Sequence, residues 1–187
     1  MRVLGAILAG GRSSRFGSDK ALAMIDGRPM LEHVAERLRG QCDGLVVAGR
    51  DWPGIDRVDD RPEPGLGPLG GLAGALAHAL DHGFDAVLTS SCDLPALPDD
   101  LIAMLGAPDA MLQRQPTIGL WSVVHADGLV TYLESGQSRS IRAWAETIKA
   151  STIAWGDGLA NINTPEDLIA FNHIRRSHFD FAQRERD

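Results

Sequence analysis

The chain has 187 residues, a formal net charge of −7, 44% hydrophobic residues and 23% charged residues. We expect this length to form a single domain over residues 1–187. The acidic balance excludes broad nucleic-acid binding, which requires a basic face. Because no apolar run approaches the ~20 residues that span a bilayer, we expect no membrane partner either.

Cysteine content and the first residues of the chain both bear on the compartment. Cys42 and Cys92 show neither a metal-ligand spacing nor a disulfide framework. The start of the chain leads from one arginine into an apolar run and has no signal-peptide cleavage pattern. These features predict a reduced, cytoplasmic protein.

The predicted elements alternate between strands and helices along the chain. The first is Val3–Leu8, a continuous apolar run typical of a strand that is covered on both faces. Further strands are predicted over 44–49, 86–93, 116–124 and 151–155, and helices over 29–39, 70–80, 97–105, 127–136, 140–148 and 164–176. Residues 50–69 are rich in glycine, proline and aspartate and are predicted to form a long loop. Thr164 is predicted to cap the last helix.

Strands that alternate with helices predict an α/β layered fold with a mostly parallel sheet. Ligands of such folds bind outside the carboxyl ends of the strands. The segment after Leu8, the 60–70 loop and Asp93 each follow a strand directly. We therefore expect all three at one edge of the sheet.

The segment Leu8–Lys20, "LAGGRSSRFGSDK", leaves the first strand with few apolar side chains. Gly10 and Gly11 allow left-handed backbone angles, and free amides in such a turn can bind an anion. Arg15 and Lys20 add cationic groups that suit phosphate. The alternative is a flexible turn with solvated cations, since the spacing matches neither a Walker loop nor a Rossmann fingerprint.

Two aspartates follow strand-like segments. Asp93 could hold Mg²⁺, which takes one or two carboxylates together with phosphate oxygens, or it could stabilise a turn. Asp60 could accept hydrogen bonds from a base or ribose, or stabilise its own turn. The six histidines show no metal spacing, and no nucleophile has an obvious base partner. This pattern favours phosphoryl or nucleotidyl transfer, which depends on positioning and charge neutralisation.

Four segments, "LAGGRSSRFGSDKAL", "GPLGGL", "CDLP" and "INTPEDL", occur in the order found in the molybdenum cofactor guanylyltransferases. The chain resembles that family from Leu4 to Phe171. The resemblance implies a three-layer, Rossmann-like nucleotidyltransferase fold whose N-terminal half binds nucleotide and whose C-terminal half binds the acceptor. It also implies Mg²⁺-dependent transfer of GMP from GTP to molybdopterin or the molybdenum cofactor, giving the guanine dinucleotide cofactor and pyrophosphate.

Other functions stay open beside this one. The nearest is a CTP-dependent cytidylyltransferase that acts on molybdopterin or an alcohol phosphate. A second is a non-catalytic nucleotide-binding partner of cofactor-assembly enzymes. Expected partners of the guanylyltransferase, besides its substrates, are other cofactor-assembly proteins and molybdoenzyme chaperones.

The resemblance also implies roles for residues within its motifs. The implied catalytic residues are Arg15, Lys20 and Asp93, and Asp93 is also the implied metal ligand. The implied nucleotide contacts are Leu8, Ala9, Gly10, Gly11, Lys20, Asp60 and Asp93. The implied acceptor-side residues are Gly67, Gly71, Arg139, Asn161 and Asn163.

The sequence departs from the family pattern at three places. Ala48, Gly49 and Arg50 stand where the family often has an asparagine that contacts the base or ribose. Gly70 stands where many relatives have alanine, and Ser91 stands where many have proline. Neither of these last two changes removes a charged group.

Overall fold

A computed structural model of the chain describes residues 1–10, 19–155, 159 and 161–173. The strands are β1 (Val3–Leu8), β2 (Met24–Ile25), β3 (Arg28–Pro29), β4 (Gly44–Ala48), β5 (Asp56–Val58), β6 (Ala86–Ser91), β7 (Ala110–Leu112), β8 (Gly119–Ser122) and β9 (Ser151–Ile153). The helices are α1 (Met30–Arg39), α2 (Gly67–Asp81), α3 (Leu101–Leu105), α4 (Ala126–Glu134), α5 (Ile141–Thr147) and α6 (165–173). Short 3₁₀ turns cover Lys20–Leu22 and Val123–His125.

Seven strands of the described residues form one sheet in the order β5-β4-β1-β6-β8-β7-β9, and β2 and β3 pair separately. Strand β1 is parallel to both β4 and β6, and β4 is parallel to β5. Strand β8 is antiparallel to both of its neighbours, so β7 and β9 again run in the direction of β1. The mostly parallel sheet is thus confirmed, and the carboxyl ends of β1, β4, β5 and β6 share one edge.

Helices cover both faces of the sheet, which confirms the three layers. Successive side chains of β1 alternate between two cores, because strand side chains point to opposite faces. Leu4, Ala6 and Leu8 pack with α2, α4 and α5, whereas Val3 and Ile7 pack with α1 and α3. Burial on both faces explains why β1 is apolar at every position.

The elements differ from the sequence predictions where strands are short. The predicted loop 50–69 contains β5, whose three residues pair with β4 at the edge of the sheet. Two of those three residues are exposed, so no apolar run marks the strand. Strand β7 was likewise not predicted, because three residues are too few for a period to show. Helix α2 begins at Gly67, three residues earlier than predicted, and α3 is reduced to five residues.

Close packing of α2 against the strand ends brings its first turn to the carboxyl edge. A Cβ on Gly74 would collide with the carbonyl oxygen of Asp59, so α2 lies directly over the segment that follows β5. Within the described ranges, no helix has both the length and the apolar character that crossing a bilayer requires.

Candidate functional site

A cavity of about 310 Å³ lies at the carboxyl edge of the sheet, at the lower end of the size range of ligand clefts. Its walls come from the end of β1, the Lys20 turn, the end of β4, the first turn of α2 and the end of β6. The lining residues that the sequence analysis named are Leu8, Ala9, Gly10, Lys20, Ala48, Arg50, Asp60, Gly67, Gly71, Ser91, Cys92, Asp93 and Asn161.

Lys20 and Asp93 form an ion pair at the cavity, although 73 residues separate them in the chain. Lys20 Nζ donates to Asp93 Oδ2 at 2.6 Å and to the amide oxygen of Asn163 at 3.0 Å. The two charged side chains are only 17% and 12% exposed. Such shielding strengthens a charge-assisted hydrogen bond relative to a surface pair.

Hydroxyl groups hold the other side of the Asp93 carboxylate. Ser91 Oγ donates to Asp93 Oδ1 at 2.5 Å, and Thr117 Oγ1 donates to Ser91 Oγ at 3.4 Å. The Asp93 carbonyl accepts from the amide of Ile162 at 3.0 Å. Ser91 thus holds the carboxylate directly and Thr117 supports Ser91, whereas the segment before α6 holds the backbone of Asp93.

A cap at the start of α6 fixes Asn163. The Asp167 carboxylate accepts from the amides of Asn163 and Thr164 at 2.9 Å each, and Thr164 Oγ1 accepts from the Asp167 amide. This reciprocal arrangement is a capping box and confirms the predicted Thr164 cap. The hydrogen bond from the Asn163 amide, and to a smaller extent that from the Thr164 amide, lowers the pKa of Asp167 because each stabilises the ionised carboxylate.

Asp60 stands on the wall formed by the segment after β5 and by α2. Its Oδ2 accepts from the amide of Gly65 at 3.1 Å, so the turn-stabilising role is present. Its Oδ1 faces Gly71, where a Cβ would lie 3.7 Å from that oxygen. One carboxylate oxygen therefore supports the turn while the other faces the cavity wall.

The ends of β1 and β4 approach each other closely at two glycines. The Ala9 amide donates to the Ala48 carbonyl at 3.1 Å. Gly49 follows with φ +83°, and a Cβ there would lie 2.6 Å from Gly10 Cα. Glycine at position 49 thus allows the strand end to pass directly beside the start of the glycine-rich segment.

The structure brings most, but not all, of the predicted site residues together. Asn163 does not line the cavity itself but accepts a hydrogen bond from Lys20, which does. Arg139 does not line the cavity; it is exposed on the connection between α4 and α5. Gly11 and Arg15 lie outside the described residues. The catalytic, nucleotide and acceptor roles of all these residues, including those of Gly67 and Gly71, stay predictions.

Several polar residues of the site were not predicted. Ser91 and Thr117 act on Asp93, and Gln115 donates to Asn161 Oδ1 at 2.9 Å. Small polar side chains within or after a strand carry no periodic signal. The polar run "TSSCD" at the end of an otherwise apolar strand was the one feature of the sequence that could have indicated these residues.

The two cysteines are free, and burial disfavours their thiolates. Desolvation raises the pKa of Cys42 to about 12 and that of Cys92 to about 11. Cys92 lines the cavity, yet a thiol that stays protonated is not an activated nucleophile.

Comparison with known proteins agrees with this architecture. Residues 5–149 match the family described as the MobA-like NTP transferase domain. The chain is 35% identical to a molybdenum cofactor guanylyltransferase of Cereibacter sphaeroides, over 94% of this chain and 98% of that protein. It is 36% identical to a molybdenum cofactor guanylyltransferase of Cupriavidus taiwanensis, over 90% of this chain and 95% of that protein.

Solved structures show the same fold at lower identity. The molybdopterin-guanine dinucleotide biosynthesis protein A of Archaeoglobus fulgidus matches with a TM-score of 0.71 and 21% identity, over 95% of this chain and all of that one. A 2-C-methyl-D-erythritol 4-phosphate cytidylyltransferase of Thermus thermophilus matches with a TM-score of 0.65 and 16% identity, over 94% of this chain and 98% of that one.

The resemblance drawn from four ordered motifs is therefore confirmed by a match over most of the chain. The chain belongs to the MobA-like NTP transferase family, and within it to the molybdenum cofactor guanylyltransferases.

Proposed function

We propose that this protein transfers GMP from GTP to the terminal phosphate of molybdopterin or of the molybdenum cofactor and releases pyrophosphate. The names of its relatives support this reaction. The observation that carries it is the contact of Lys20 with Asp93 and Asn163 on a cavity that Gly10 and Asp60 also line. A cation, a carboxylate and an amide thus converge beside the glycine-rich segment.

The reaction needs no protein nucleophile. One acceptor phosphate oxygen forms a bond to the α-phosphorus of GTP, and the bond from that phosphorus to the bridging oxygen of pyrophosphate breaks. A phosphate monoester has a second pKa of about 6 and is largely dianionic at neutral pH, so no base has to activate it. In agreement, no histidine lines the cavity formed by the described residues.

Lys20 serves to reduce the repulsion between the two anionic substrates. Its ammonium donates to phosphate oxygens, and one charge-assisted hydrogen bond contributes about 1.5–3 kcal/mol. Fixed cationic groups stabilise charge that builds up on the α-phosphate and on departing pyrophosphate. Arg15 is expected to assist in the same way.

The oxygen atoms around the Lys20 ammonium also suit a magnesium ion. The described residues contain no cluster of three or more His, Cys, Asp and Glu side chains. Mg²⁺ nevertheless requires only one or two carboxylates, because phosphate oxygens and water complete its octahedron. Asp93 would hold the ion, and Asn163, whose amide oxygen accepts from the same Lys20 ammonium, would supply a further oxygen. When bound, the ion supplies further charge neutralisation on the phosphates.

Asp60 is the proposed contact for the guanine base. Guanine presents N1–H and N2–H donors, and Asp60 Oδ1 is the carboxylate oxygen that the Gly65 amide does not use. A pocket that pairs these donors disfavours cytosine, which lacks them. We expect Asp60→Asn to weaken GTP binding more than it lowers the maximal rate. Unchanged GTP affinity in a calorimetric titration would remove Asp60 from this role.

A pyrophosphate-release assay tests the reaction. GTP, CTP, ATP and UTP are each supplied with Mg²⁺, with and without molybdopterin. We expect release only with GTP and molybdopterin together. Release with CTP instead would establish the cytidylyltransferase alternative, which the 35–36% identical relatives do not favour. GTP binding without release would indicate a non-catalytic binding protein.

Two aspartate variants connect the assay to the site. Asp93→Ala should nearly abolish pyrophosphate release in saturating Mg²⁺. Asp99→Ala is the matched control, because Asp99 pairs with Arg37 on the surface and is 75% exposed. Normal turnover of the Asp93 variant would refute the metal assignment.

The cellular setting is part of the same proposal. A cytoplasmic location is supported by two free cysteines, which are typical of a reducing compartment. Cofactor-assembly proteins and molybdoenzyme chaperones are the proposed recipients of the product.

A further inference from the structure

Arg50 and Asp19 form a bidentate ion pair beside the cavity. Arg50 Nη1 donates to Asp19 Oδ1 at 2.7 Å, and Arg50 Nη2 donates to Asp19 Oδ2 at 2.5 Å. Both residues line the cavity. The parallel fork between a guanidinium and a carboxylate fixes orientation as well as distance.

Asp19 is also the cap of the turn that carries Lys20. Its Oδ1 accepts from the Ala21 amide at 3.1 Å, and the 3₁₀ turn begins at the next residue, Lys20. The orientation of the Asp19 carboxylate therefore sets the orientation of the turn. The hydrogen bond from Arg50 lowers the pKa of Asp19, so the cap stays ionised at neutral pH.

Arg50 is anchored to the body of the fold on its other side. Its guanidinium lies 5.7 Å from the centre of the Trp52 ring, within the range of a cation–π contact. Trp52 is largely buried, and its indole nitrogen donates to Glu32 on α1 at 2.5 Å. A continuous chain of contacts thus joins α1 to the end of β4 and to the Lys20 turn.

We infer that Arg50 and Asp19 are positioning residues that hold the Lys20 ammonium against Asp93 and Asn163. Arg50 restrains Asp19, Asp19 restrains the turn, and the turn aims the lysine side chain. Neither residue has to touch the nucleotide in this arrangement. The consequence for nucleotide binding rests on the proposed function, whereas the placement of Lys20 does not.

Direct contact of Arg50 with the triphosphate is the competing explanation, because Arg50 faces the cavity. Two of its three nitrogens already donate to Asp19, and its buried Nε has no acceptor among the described residues. Asp19 uses two of the five N–H donors of the guanidinium, so a phosphate that bound Arg50 directly would do so beside Asp19 and independently of the cap. The two explanations predict different results when Asp19 is removed.

The first experiment measures the placement of Lys20 without nucleotide. Lys20 and Lys149 are the two lysines of the chain. After acetylation with limiting reagent, mass spectrometry gives the ratio of the acetylated fraction of Lys20 to that of Lys149. Lys149 is exposed and serves as the internal reference. We expect Arg50→Gln and Asp19→Ala each to raise the Lys20 to Lys149 ratio about 3- to 10-fold, as for loss of one hydrogen bond. Arg50→Lys should restore the ratio in part.

A matched arginine pair controls for general loss of charge. Arg57 donates twice to Asp59, at 2.8 and 2.6 Å, but does not line the cavity. Arg57→Gln should leave the ratio unchanged. Thermal melting confirms that each variant is folded. A wild-type ratio in folded Arg50→Gln protein would overturn the inference.

The second experiment measures binding of GTP and GMP by calorimetry in EDTA. Lys20→Ala should weaken GTP binding about 10- to 100-fold, as for loss of one charge-assisted hydrogen bond. Arg50→Gln and Asp19→Ala should each weaken GTP by a smaller factor and leave GMP within twofold. The double variant should lose no more affinity than Asp19→Ala alone, because both residues act through one turn.

The outcomes separate the inference from the proposed function. If Arg50→Gln weakens GTP as strongly in the Asp19→Ala background as in wild type, Arg50 contacts the ligand directly and the inference is wrong. If Lys20→Ala binds GTP normally while the acetylation ratio still responds to Arg50, the positioning stands and the phosphate role of Lys20 falls.

Discussion

Replacement of Gly49 by alanine tests how the end of β4 shapes the glycine-rich segment. Gly49 has φ +83°, and a Cβ there would lie 2.6 Å from Gly10 Cα and 3.1 Å from Gly10 N. Both neighbouring atoms are backbone, so no side-chain rotation can relieve the contact. Gly10 must move, and with it the first amides of the proposed phosphate site.

Gly54 supplies the matched control for this change. It has φ +72° on the same β4–β5 connection, but a Cβ there would meet nothing within 4 Å. The left-handed backbone costs an alanine about 1–2 kcal/mol at either position. Overpacking adds about 1–3 kcal/mol at Gly49 alone. At about 2–4 °C per kcal/mol for a domain of this size, we expect the Gly49 variant to melt several degrees below the Gly54 variant.

Thermal melting and GTP kinetics measure the two consequences together. Misplacement of a reacting group by about 1 Å can cost up to 100-fold in rate. We expect Gly49→Ala to raise the KM for GTP at least tenfold and Gly54→Ala to leave it unchanged. Equal melting temperatures and equal KM values for the two variants would show that the approach to Gly10 has no role.

Three further predictions follow from contacts within the site. Ser91→Ala removes one hydrogen bond from Asp93 and should raise the Mg²⁺ concentration for half-maximal pyrophosphate release about 3- to 10-fold. Ser91→Thr keeps the hydroxyl group and should keep the wild-type Mg²⁺ requirement. An unchanged Mg²⁺ requirement in Ser91→Ala would show that the hydroxyl does not support Asp93. Cys42 and Cys92, whose pKa values are raised to about 12 and about 11, should resist a thiol reagent at pH 8 until the protein is denatured, and rapid labelling of native protein would argue against their burial. The pKa of Asp167 is lowered on folding, so its stabilising effect is present at pH 6 and is lost as the pH falls below the ordinary value of 3.8. The difference in unfolding free energy between wild type and Asp167→Asn, measured by urea titration, should therefore shrink in that range. A difference that stayed constant with pH would show that the cap is not ionic.

The three strands that organise the fold could be predicted because both faces of each are covered. Such strands carry continuous apolar runs, so β1, β4 and the first half of β6 stand out in the sequence. Strands β5 and β7 could not be predicted in the same way. Each has three residues, and their strand conformation comes from pairing with neighbouring strands rather than from a pattern of their own.

The candidate site, like the sheet, could be predicted from the sequence only in part. Parallel topology alone placed the glycine-rich segment, the segment with Asp60 and Asp93 at one edge of the sheet. It gave no reason for Lys20 to contact Asn163, which lies 143 residues away. Arg139 was assigned with the acceptor residues by motif; it is exposed and is not among the residues that line the cavity.

The sequence by itself determined the layered α/β class and predicted the edge of the sheet where the cavity lies, with Lys20, Asp60 and Asp93 on its walls. These properties follow from local patterns of apolar residues and glycines, which depend on few neighbours. Only the tertiary structure decided that Ser91 and Thr117 hold one side of Asp93, and that Arg50 and Asp19 meet beside Lys20. Hydrogen bonds between side chains depend on distances of a few tenths of an ångström, which the packed three-dimensional structure sets and the order of residues does not.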